Sequence, residues 1–428
     1  MISRAFPEAP APAAAAERVL DLPGVALLES PPGFPRLGRR SFLSADPTGA
    51  PRGWSLGYLA YEYGRRFERI PAAPLDDLAL PGDGMRRYDW VLEWDHDAGR
   101  ATLHALTEAR WAWAAARLRG GPRAPRPLGR IDAPPSTAPR HPVPVLGSGV
   151  TSTFTAAAYR AAVARVIEYI RAGDIFQANL SQRFAAPFDA HPWALYRALW
   201  ERSPAPFAAY LQYDTFAVVS NSPERFLTLD AAGRVETRPI KGTRPRGRTA
   251  ARDRALAEEL RASAKDRAEH VMIVDLLRND LSRVCAPGTV RAEELLVLER
   301  YATVHHLVST VVGRLEPGRT AADLIAATFP GGSITGAPKL RAMEIIAELE
   351  PTARGVYCGA IGVAGPEGTL DLNIAIRTAV VQRGEVTWSA GGGIVADSDP
   401  EAEYQETLAK ARGIAAGVAG AQGRGGAG

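Results

Sequence analysis

The sequence has few cysteines and no long apolar run. Its 428 residues include two cysteines, Cys285 and Cys358, which are too few for a disulfide framework and fit a reducing cytosol. No stretch of about 18 apolar residues occurs, so the sequence predicts no membrane span. The first 20 residues lack the apolar centre of a signal peptide. We therefore expect a cytoplasmic protein that does not enter a membrane.

Lysine is rare although arginine is abundant. Lysines and arginines total 51, but only four are lysines, and all four follow residue 240: Lys241, Lys265, Lys339 and Lys410. Lysine differs from arginine because it can lose its proton in a suitable site. The four lysines are therefore candidates for roles that arginine could not fill.

Features typical of nucleic-acid and nucleotide binding are also missing. The formal net charge is only +4, and the arginines are scattered, whereas a nucleic-acid surface favours a basic stripe with interleaved aromatic residues. No glycine-rich loop has the GxxxxGK[ST] spacing of a P-loop. Regular alternation of strands and helices is absent, which disfavours a Rossmann fold.

The order of the segments predicts an α+β protein with large antiparallel β-sheets and helices packed outside. We interpret residues 1–119 as an N-terminal α/β region that includes a helix over Leu103–Arg119. Residues 120–150 are rich in Pro, Gly and Arg and indicate a linker. Residues 151–412 form the larger region, with helices over Phe154–Ala172 and Ala264–Val284 and a strand over Asp371–Gln382. Residues 413–428 are rich in Gly and Ala and indicate a flexible tail.

One lysine lies where a predicted strand ends, in Pro239-Ile-Lys-Gly-Thr243. Burial lowers the pKa of a lysine by desolvation, and a neutral amine is a nucleophile. The alternative is a loop lysine in water, and the motif alone leaves both interpretations open.

Three glutamates are candidate metal ligands. Glu269 borders the apolar face of the predicted helix over Ala264–Val284, while Glu403, Glu406 and Lys410 share one face of the last helix. Neighbouring carboxylates repel unless a cation joins them, and hard divalent ions prefer such oxygen atoms. The alternatives are a helix cap or salt-bridge partner for Glu269 and an exposed Glu–Lys surface for the other pair.

Two glycine-rich loops and a histidine pair are weaker candidates. The loop from Gly331 to Lys339 leads into a helix, whose free N–H groups could hold an anion with help from Lys339. The amides of Gly391, Gly392 and Gly393 could bind a carboxylate. The adjacent residues His305 and His306 lie on a predicted strand, so their side chains should face opposite ways.

Taken together, these segments resemble the chorismate-utilising family, which includes anthranilate synthase component I, aminodeoxychorismate synthase component I, isochorismate synthase and salicylate synthase. The matching segments occur in family order and cover most of residues 151–412: Ser222-Pro-Glu-Arg-Phe226, Pro239-Ile-Lys-Gly-Thr243, the helix around Glu269, Gly336-Ala-Pro-Lys339, Tyr357-Cys-Gly-Ala-Ile-Gly362 and the last Glu-rich helix. Residues 1–119 resemble the N-terminal region of anthranilate synthase component I more loosely.

Two positions distinguish the branches of this family. Lys241 resembles the aminodeoxychorismate branch, whereas similar anthranilate synthases have alanine there. Gln177 stands where the water-adding relatives place a basic lysine, which disfavours isochorismate or salicylate synthesis. The resemblance implies amination of chorismate by ammonia to 4-amino-4-deoxychorismate, for p-aminobenzoate and folate. The alternatives are anthranilate synthase component I, which converts chorismate to anthranilate plus pyruvate, and a non-catalytic chorismate-binding protein.

The resemblance also implies roles for individual residues. Lys241 would be a covalent nucleophile, Glu224 the general acid, and His306 a support for charge near the substrate ring. Glu269, Glu403 and Glu406 would hold Mg²⁺. The remaining residues would bind the substrate: Ser333, Thr335, Lys339, Tyr357, Arg377, Gly391, Gly392 and Gly393. No Gly-x-Cys-x-Gly loop of a glutaminase occurs, so we expect ammonia from a separate glutamine amidotransferase subunit in a heterodimer.

Overall fold

The computed structural model describes residues 1–31, 40–49, 53–131, 136–301 and 304–424. The strands in these ranges are β1 (Ile2–Ala5), β2 (Ala26–Glu29), β3 (Arg40–Ser44), β4 (Trp54–Leu59), β5 (Arg86–Tyr88), β6 (Trp90–Asp95), β7 (Arg100–Ala105), β8 (His141–Pro142), β9 (Thr151–Ser152), β10 (Gln177–Pro187), β11 (Phe207–Gln212), β12 (Phe216–Ser222), β13 (Arg225–Leu229), β14 (Arg234–Arg238), β15 (Ile240–Pro245), β16 (Arg291–Arg300), β17 (Val304–Arg314), β18 (Gly336–Ala337), β19 (Ala360–Ala364), β20 (Leu370–Ile374), β21 (Thr378–Gln382) and β22 (Glu385–Ile394). The α-helices are α1 (Pro12–Ala16), α2 (Glu108–Arg119), α3 (Ala156–Arg171), α4 (Pro192–Arg202), α5 (Ala250–Ala262), α6 (Ala264–Ser282), α7 (Ala321–Thr328), α8 (Lys339–Leu349) and α9 (Pro400–Arg424).

Two antiparallel sheets organise the chain, which confirms the predicted α+β class. Within the described ranges, the larger sheet has 13 strands in the order β1-β7-β6-β3-β2-β11-β12-β21-β22-β10-β9-β8, with β18 beside β10. The smaller sheet has nine strands in the order β15-β17-β14-β13-β20-β19-β4-β5, with β16 beside β17. Strands from the N-terminal region join both sheets, since β2 pairs with β11 and β4 pairs with β19. The predicted N-terminal region is therefore built into the same sheets as the rest of the chain.

The hydrophobic core lies in three main layers. Between the two sheets, Tyr58 of β4 packs edge-on against Tyr213 with ring centroids 5.5 Å apart, among other buried residues of both sheets. The outer face of the larger sheet is covered by α1, α2, α4 and α9. Residues of α6, α7 and α8 cover the outer face of the smaller sheet. The helices thus lie outside, as the sequence predicts. None of the described helices combines the length and the apolar character needed to cross a bilayer.

Two predicted segments have different boundaries in the structure. The predicted helix over Leu103–Arg119 starts only at Glu108, because Arg100–Ala105 forms β7 with alternating buried residues and Thr107 caps the helix by accepting a hydrogen bond from the Arg110 amide at 3.2 Å. The predicted strand over Asp371–Gln382 is two strands, β20 and β21. A turn separates them, and Arg377 adopts a positive φ of 49° there.

The predicted linker and tail are shorter than expected. Residues 120–131 and 136–140 contain no helix or strand, but β8 and β9 follow and join the edge of the larger sheet; residues 132–135 lie outside the described ranges. The prediction of a flexible tail from residue 413 is wrong for residues 413–424, which continue α9. Small residues allow this packing, since a Cβ added at Gly417 would lie 3.0 Å from Cγ of Leu199 on α4. Residues 425–428 lie outside the described ranges.

A buried ion pair joins the end of α8 to the larger sheet. The guanidinium of Arg354 binds both carboxylate oxygens of Glu350, at 2.7 and 2.9 Å, and both side chains are almost fully buried. Glu350 also accepts hydrogen bonds from the amide and the hydroxyl of Ser181 on β10, each at 2.8 Å. Arg354 donates to the carbonyls of Ile334, at 3.0 Å, and Asn179. This network ties β10, α8 and the turn at residues 332–334 together.

We expect R354M to lower the free energy of unfolding by about 3–5 kcal/mol, because it leaves the Glu350 carboxylate buried without its charge partner. R341M is the matched control on α8, since Arg341 is 38% exposed and pairs with Glu344 at 2.9 Å. Arg341 also pairs with Asp174 at 3.1 Å, and each of these exposed ion pairs should contribute about 1 kcal/mol or less. Urea unfolding followed by circular dichroism measures the free energy of unfolding of both variants. Equal decreases in R354M and R341M would show that the buried ion pair of Arg354 stabilises the fold no more than an exposed one.

Candidate active site

A cavity with a volume of about 1090 Å³ lies between the two sheets and their helices. One side of the cavity is formed by α6 and by β15 of the smaller sheet. The other side is formed by α9 and by β10 and β22 of the larger sheet. The cavity wall contains most of the predicted site residues: Glu224, Lys241, Glu269, His306, Ser333, Tyr357, Arg377, Gly391, Gly392, Gly393, Glu403 and Glu406. Segments that are distant in the sequence therefore converge on one site.

A β-bulge sets the direction of Lys241. In the pairing of β15 with β17, Lys241 lies opposite Leu307 and Thr243 lies opposite His306, so Gly242 is the extra residue. Gly242 has a φ of +78°, the left-handed region that favours glycine. A Cβ at this position would lie 2.8 Å from Cδ1 of Leu260 on α5. The glycine thus permits both the bulge and the close packing of the helices against it.

The amine of Lys241 lies in an environment that favours its neutral form. Its Nζ donates to the carbonyl oxygen of Ser333 at 3.4 Å. Burial lowers the pKa of Lys241, while the carboxylates of Glu224 and Glu269 act in the opposite direction. The net shift is downward, so a larger fraction of this amine is nucleophilic near neutral pH than for a lysine in water.

Glu224 is a carboxyl group whose surroundings favour its protonated form, as a proton donor requires. It follows β12, it is only 6% exposed, and its carbonyl accepts a hydrogen bond from the Ile374 amide at 3.0 Å. Burial raises the pKa of Glu224, and the Ser333 hydroxyl and the Lys241 charge oppose this shift. The pKa of Glu224 is shifted upward and that of Lys241 downward. One cavity therefore contains a carboxyl group that can donate a proton and an amine that can react in its neutral form.

The two adjacent histidines face opposite sides of β17, as predicted. His306 shares a hydrogen bond of 2.8 Å between its Nδ1 and the Thr243 hydroxyl, and burial lowers its pKa to about 4. His305 is buried on the other side, where its Nε2 lies 2.9 Å from Oδ1 of Asp253. At neutral pH His306 is therefore an uncharged ring, and any support it gives to charge must come from its dipole.

Three carboxylates, those of Glu269, Glu403 and Glu406, line the cavity. Ser263 caps α6 by accepting the Asp266 amide at 3.2 Å, which places Glu269 one turn into the helix. Asp399 caps α9 by accepting the Ala402 amide at 2.8 Å, which presents Glu403 and Glu406. A Cβ at Gly392 of β22 would lie 3.0 Å from Oε2 of Glu403 and 3.4 Å from Oε1 of Glu406. Glycine at this position therefore lets both carboxylates approach the strand.

These glutamates fit a hard divalent cation. Oε1 of Glu269 is buried and has no hydrogen-bond partner among the described residues. Burial raises the pKa of Glu269 and of Glu403, which means that a negative charge there lacks full compensation. For Glu406, burial acts in the same direction, but Lys410 at 2.7 Å outweighs it and lowers the pKa. Carboxylate oxygens are the donors that Mg²⁺ prefers.

The protein alone does not complete such a site. Across the described ranges, no three His, Cys, Asp or Glu side chains lie close enough together to form a full ligand set. The remaining ligands of a cation would therefore have to come from a bound molecule or from water.

Two predicted substrate ligands, Thr335 and Lys339, lie away from the cavity wall. The Thr335 hydroxyl is fully buried and donates to the carbonyl of Gly331 at 3.0 Å, which holds the turn before β18. Lys339 forms an ion pair of 2.6 Å with Asp280 and donates to the carbonyl of Thr328 at 2.9 Å. It therefore joins the start of α8 to the end of α6 and does not face an anion site.

Several cavity residues were not among the predicted site residues. Lys265 and Lys410 both line the cavity, and Nζ of Lys410 donates to the Gly391 carbonyl at 2.8 Å. Asn179 and Thr243 also line it. The rarity of lysine is a signal that could have identified the first two, because three of the four lysines lie on this cavity.

Comparisons with known proteins agree with this geometry. A family model described as chorismate binding enzyme matches residues 30–416. Aminodeoxychorismate synthase component 1 of Salmonella typhimurium is 44% identical over 367 residues, which cover 85% of this chain and 76% of that protein. Anthranilate synthase component 1 of Streptomyces coelicolor is 46% identical over 399 residues, which cover 90% of this chain and 77% of that protein.

A solved structure has the same fold. The crystal structure of anthranilate synthase component I from Streptococcus pneumoniae superposes with a TM-score of 0.74 at 30% sequence identity. The superposition covers 91% of this chain and 93% of that structure.

The electrostatics of the cavity predict the reactivity of Lys241. Because an amine reacts with acylating reagents only when neutral, labelling of Lys241 should reach half its maximal rate at a pH below the usual range for lysine. In E224Q the midpoint should move lower still, because the Glu224 charge acts to raise the pKa of Lys241. Mass spectrometry of the Lys241 peptide after brief labelling across a pH series gives both midpoints.

The control for this measurement is E258Q, which changes an exposed carboxylate on α5 that pairs with Arg261 at 2.7 Å. It should leave the midpoint of Lys241 unchanged. An unshifted or raised midpoint in E224Q would show that Glu224 does not act on the amine.

Proposed function

The chain belongs to the family of chorismate-binding enzymes, and from this premise we propose that it aminates chorismate with ammonia to form 4-amino-4-deoxychorismate. This reaction would serve p-aminobenzoate and folate synthesis. The observation that supports the proposal most is the pairing of Lys241 with Glu224. One is a buried amine of lowered pKa, the other is a buried carboxyl of raised pKa, and both line the same cavity.

Chorismate carries two carboxylates, and the cavity offers groups that could bind them. Arg377 supplies a positive charge, and β22 brings three glycines into the wall. Ser333 and Tyr357 supply hydroxyl groups at the same wall. Glu269 and Glu406, with Glu403 beside them, would hold a Mg²⁺ ion, whose charge would offset that of a substrate carboxylate.

In the first step the neutral amine of Lys241 would bond to carbon C2 of the substrate. The ring double bonds shift, and the bond between C4 and its hydroxyl breaks. Glu224 would donate its proton to that hydroxyl, which then leaves as water. The result is a covalent adduct in which the Lys241 nitrogen is a secondary ammonium and Glu224 is ionised.

In the second step ammonia would bond to C4. The double bonds shift back, the bond between C2 and Lys241 breaks, and the lysine leaves as a neutral amine. Glu224 would accept the proton released by the new C4 ammonium group, which restores both residues. The sum is chorismate plus ammonia giving 4-amino-4-deoxychorismate plus water, and the nucleophile divides one difficult displacement into two.

We also propose that the ammonia comes from a separate glutamine amidotransferase subunit. The relatives named component 1 are named as parts of systems with a second component. The proposal makes a heterodimer the physiological form.

The second candidate is anthranilate synthesis from chorismate. It is favoured by the relatives from Streptomyces coelicolor and Thermus thermophilus, named anthranilate synthase component 1, at 46% and 45% identity. It is disfavoured by Lys241, which resembles the aminodeoxychorismate branch of the family. Release of pyruvate with a fluorescent aromatic product would identify this second activity.

The proposed nucleophile is tested by K241A with chorismate, Mg²⁺ and an ammonium salt. We expect kcat to fall by roughly 100-fold or more, because the covalent route is closed. In the wild type without ammonium, mass spectrometry should find the substrate-derived adduct on the Lys241 peptide. K241R is the matched control, since it keeps the positive charge but cannot supply a neutral amine. Full amination by K241A, with no adduct in the wild type, would remove Lys241 from the mechanism.

The proposed cation site is tested by E269Q, which removes one charge from the carboxylate cluster. We expect the Kd for Mn²⁺, measured by electron paramagnetic resonance as a Mg²⁺ substitute in the presence of chorismate, to rise by about tenfold or more. E401Q on α9 is the control, because Glu401 pairs at the surface with Arg160. Equal Mn²⁺ affinity in E269Q and the wild type would place the cation elsewhere.

A further inference from the structure

His270 on α6 is a buried side chain without an obvious structural purpose. It has no exposed area, and neither of its ring nitrogens makes a hydrogen bond of normal geometry with any residue in the described ranges. Burial lowers the pKa of His270, and a hydrogen-bonding group of the Lys241 backbone opposes this shift. A buried polar group without a partner destabilises a protein, so native structures retain few of them. The stability of the fold therefore does not account for a histidine at this position.

The ring of His270 faces the backbone of Lys241. Helix α6 packs against the bulge of β15, and a Cβ at Gly242 would lie 3.2 Å from Cβ of Asp266 on that helix. A hydrogen-bonding group of the Lys241 backbone raises the pKa of His270 against the effect of burial. A group of the Gly242 backbone does the same to His306. Two imidazoles thus flank the two peptide groups of the bulge, one from α6 and one from β17.

The position of the bulge decides where Lys241 points. The side chains of a strand alternate between its faces, so a shift of the extra residue by one position would turn Lys241 to the other side of β15. In the free site the amine is held weakly, at 3.4 Å from the Ser333 carbonyl. When the amine leaves that carbonyl to bond to a substrate, its own peptide group must stay in place.

We propose that His270 is a positioning residue for Lys241, whose ring N–H closes onto the Lys241 carbonyl and locks the bulge while the amine is bonded to the substrate. This inference rests on the proposed function of Lys241 as the nucleophile. His270 does not line the cavity, so it touches neither substrate nor cation. A hydrogen bond that lacks normal geometry in the free site and tightens during the reaction lowers the barrier without tightening substrate binding.

The test compares H270L with H270N in the full chain, using chorismate, Mg²⁺ and an ammonium salt. H270L removes the donor and should lower kcat by about 10- to 100-fold with KM for chorismate within about twofold, because the nucleophile is misplaced. Its Tm should equal or exceed that of the wild type, because the variant removes an unpaired buried polar group. H270N keeps a donor and should recover part of kcat, and it also serves if H270L does not fold.

The matched control is H305L, because His305 is an equally buried histidine that pairs with Asp253 and faces away from the bulge. We expect H305L to lower Tm and to change kcat by less than about threefold. The double variant K241A/H270L should be no slower than K241A, since His270 acts only through Lys241.

The outcomes separate this inference from the proposed function. If H270L has the kcat of the wild type, or if K241A/H270L is slower than K241A, the proposed role of His270 is overturned. If K241A is impaired at the same time, the proposal that Lys241 is the nucleophile still stands. A fall of Tm in H270L that accounts for the lost activity makes His270 a packing residue only. Full activity of K241A alone overturns the nucleophile, and the positioning role with it.

Discussion

The buried ion pair between Arg354 and Glu350 is the constraint on which the geometry of the cavity depends. It holds the turn at residues 332–334 against β10, and the carbonyl of Ser333 in that turn is the group on which the Lys241 amine rests. The guanidinium also lies 5.8 Å from the ring centroid of Tyr357, another cavity residue. The strong pair lies outside the cavity, whereas the Lys241 amine inside it makes only the 3.4 Å contact with the Ser333 carbonyl and is not held by an ion pair among the described residues.

Burial without full pairing then gives the cavity its chemistry. The same desolvation lowers the pKa of Lys241 and raises the pKa of Glu224, because in each case it disfavours the charged form. It also leaves the Glu269 and Glu403 carboxylates short of positive charge in the wall of the cavity. The proposed substrate, with its two carboxylates, would need such a cation, and the proposed displacement would need such an amine and acid. The protein achieves both with one physical effect.

Much of the cavity wall could be predicted from the sequence. Lys241 and the helical glutamates stand in local patterns that constrain their chemistry, whereas Glu224 was predicted only through the resemblance to the family. Thr335 and Lys339 belong to a similar pattern, yet they face the interior, because the direction of a side chain after a turn depends on tertiary packing. Arg354 and His270 gave no local signal, since their roles come from contacts with β10 and β15. The order in α9 beyond residue 412 escaped prediction for the same reason: small residues indicate flexibility until a partner helix such as α4 covers them.

The pairing of β10 with β22 has a consequence for folding of the chain during its synthesis. Ala178 lies opposite Ile394, and Ser181 lies opposite Gly391, so β10 acquires this neighbour only after the long stretch of chain between β10 and β22 has been synthesised. Until then, β10, which is almost wholly buried in the folded protein, has an unpaired edge that can pair with another unfolded chain. The order in which this sheet closes therefore favours aggregation of the partly synthesised chain, so sequence changes in β10 or β22 could reduce the yield of folded protein without altering the chemistry of the cavity.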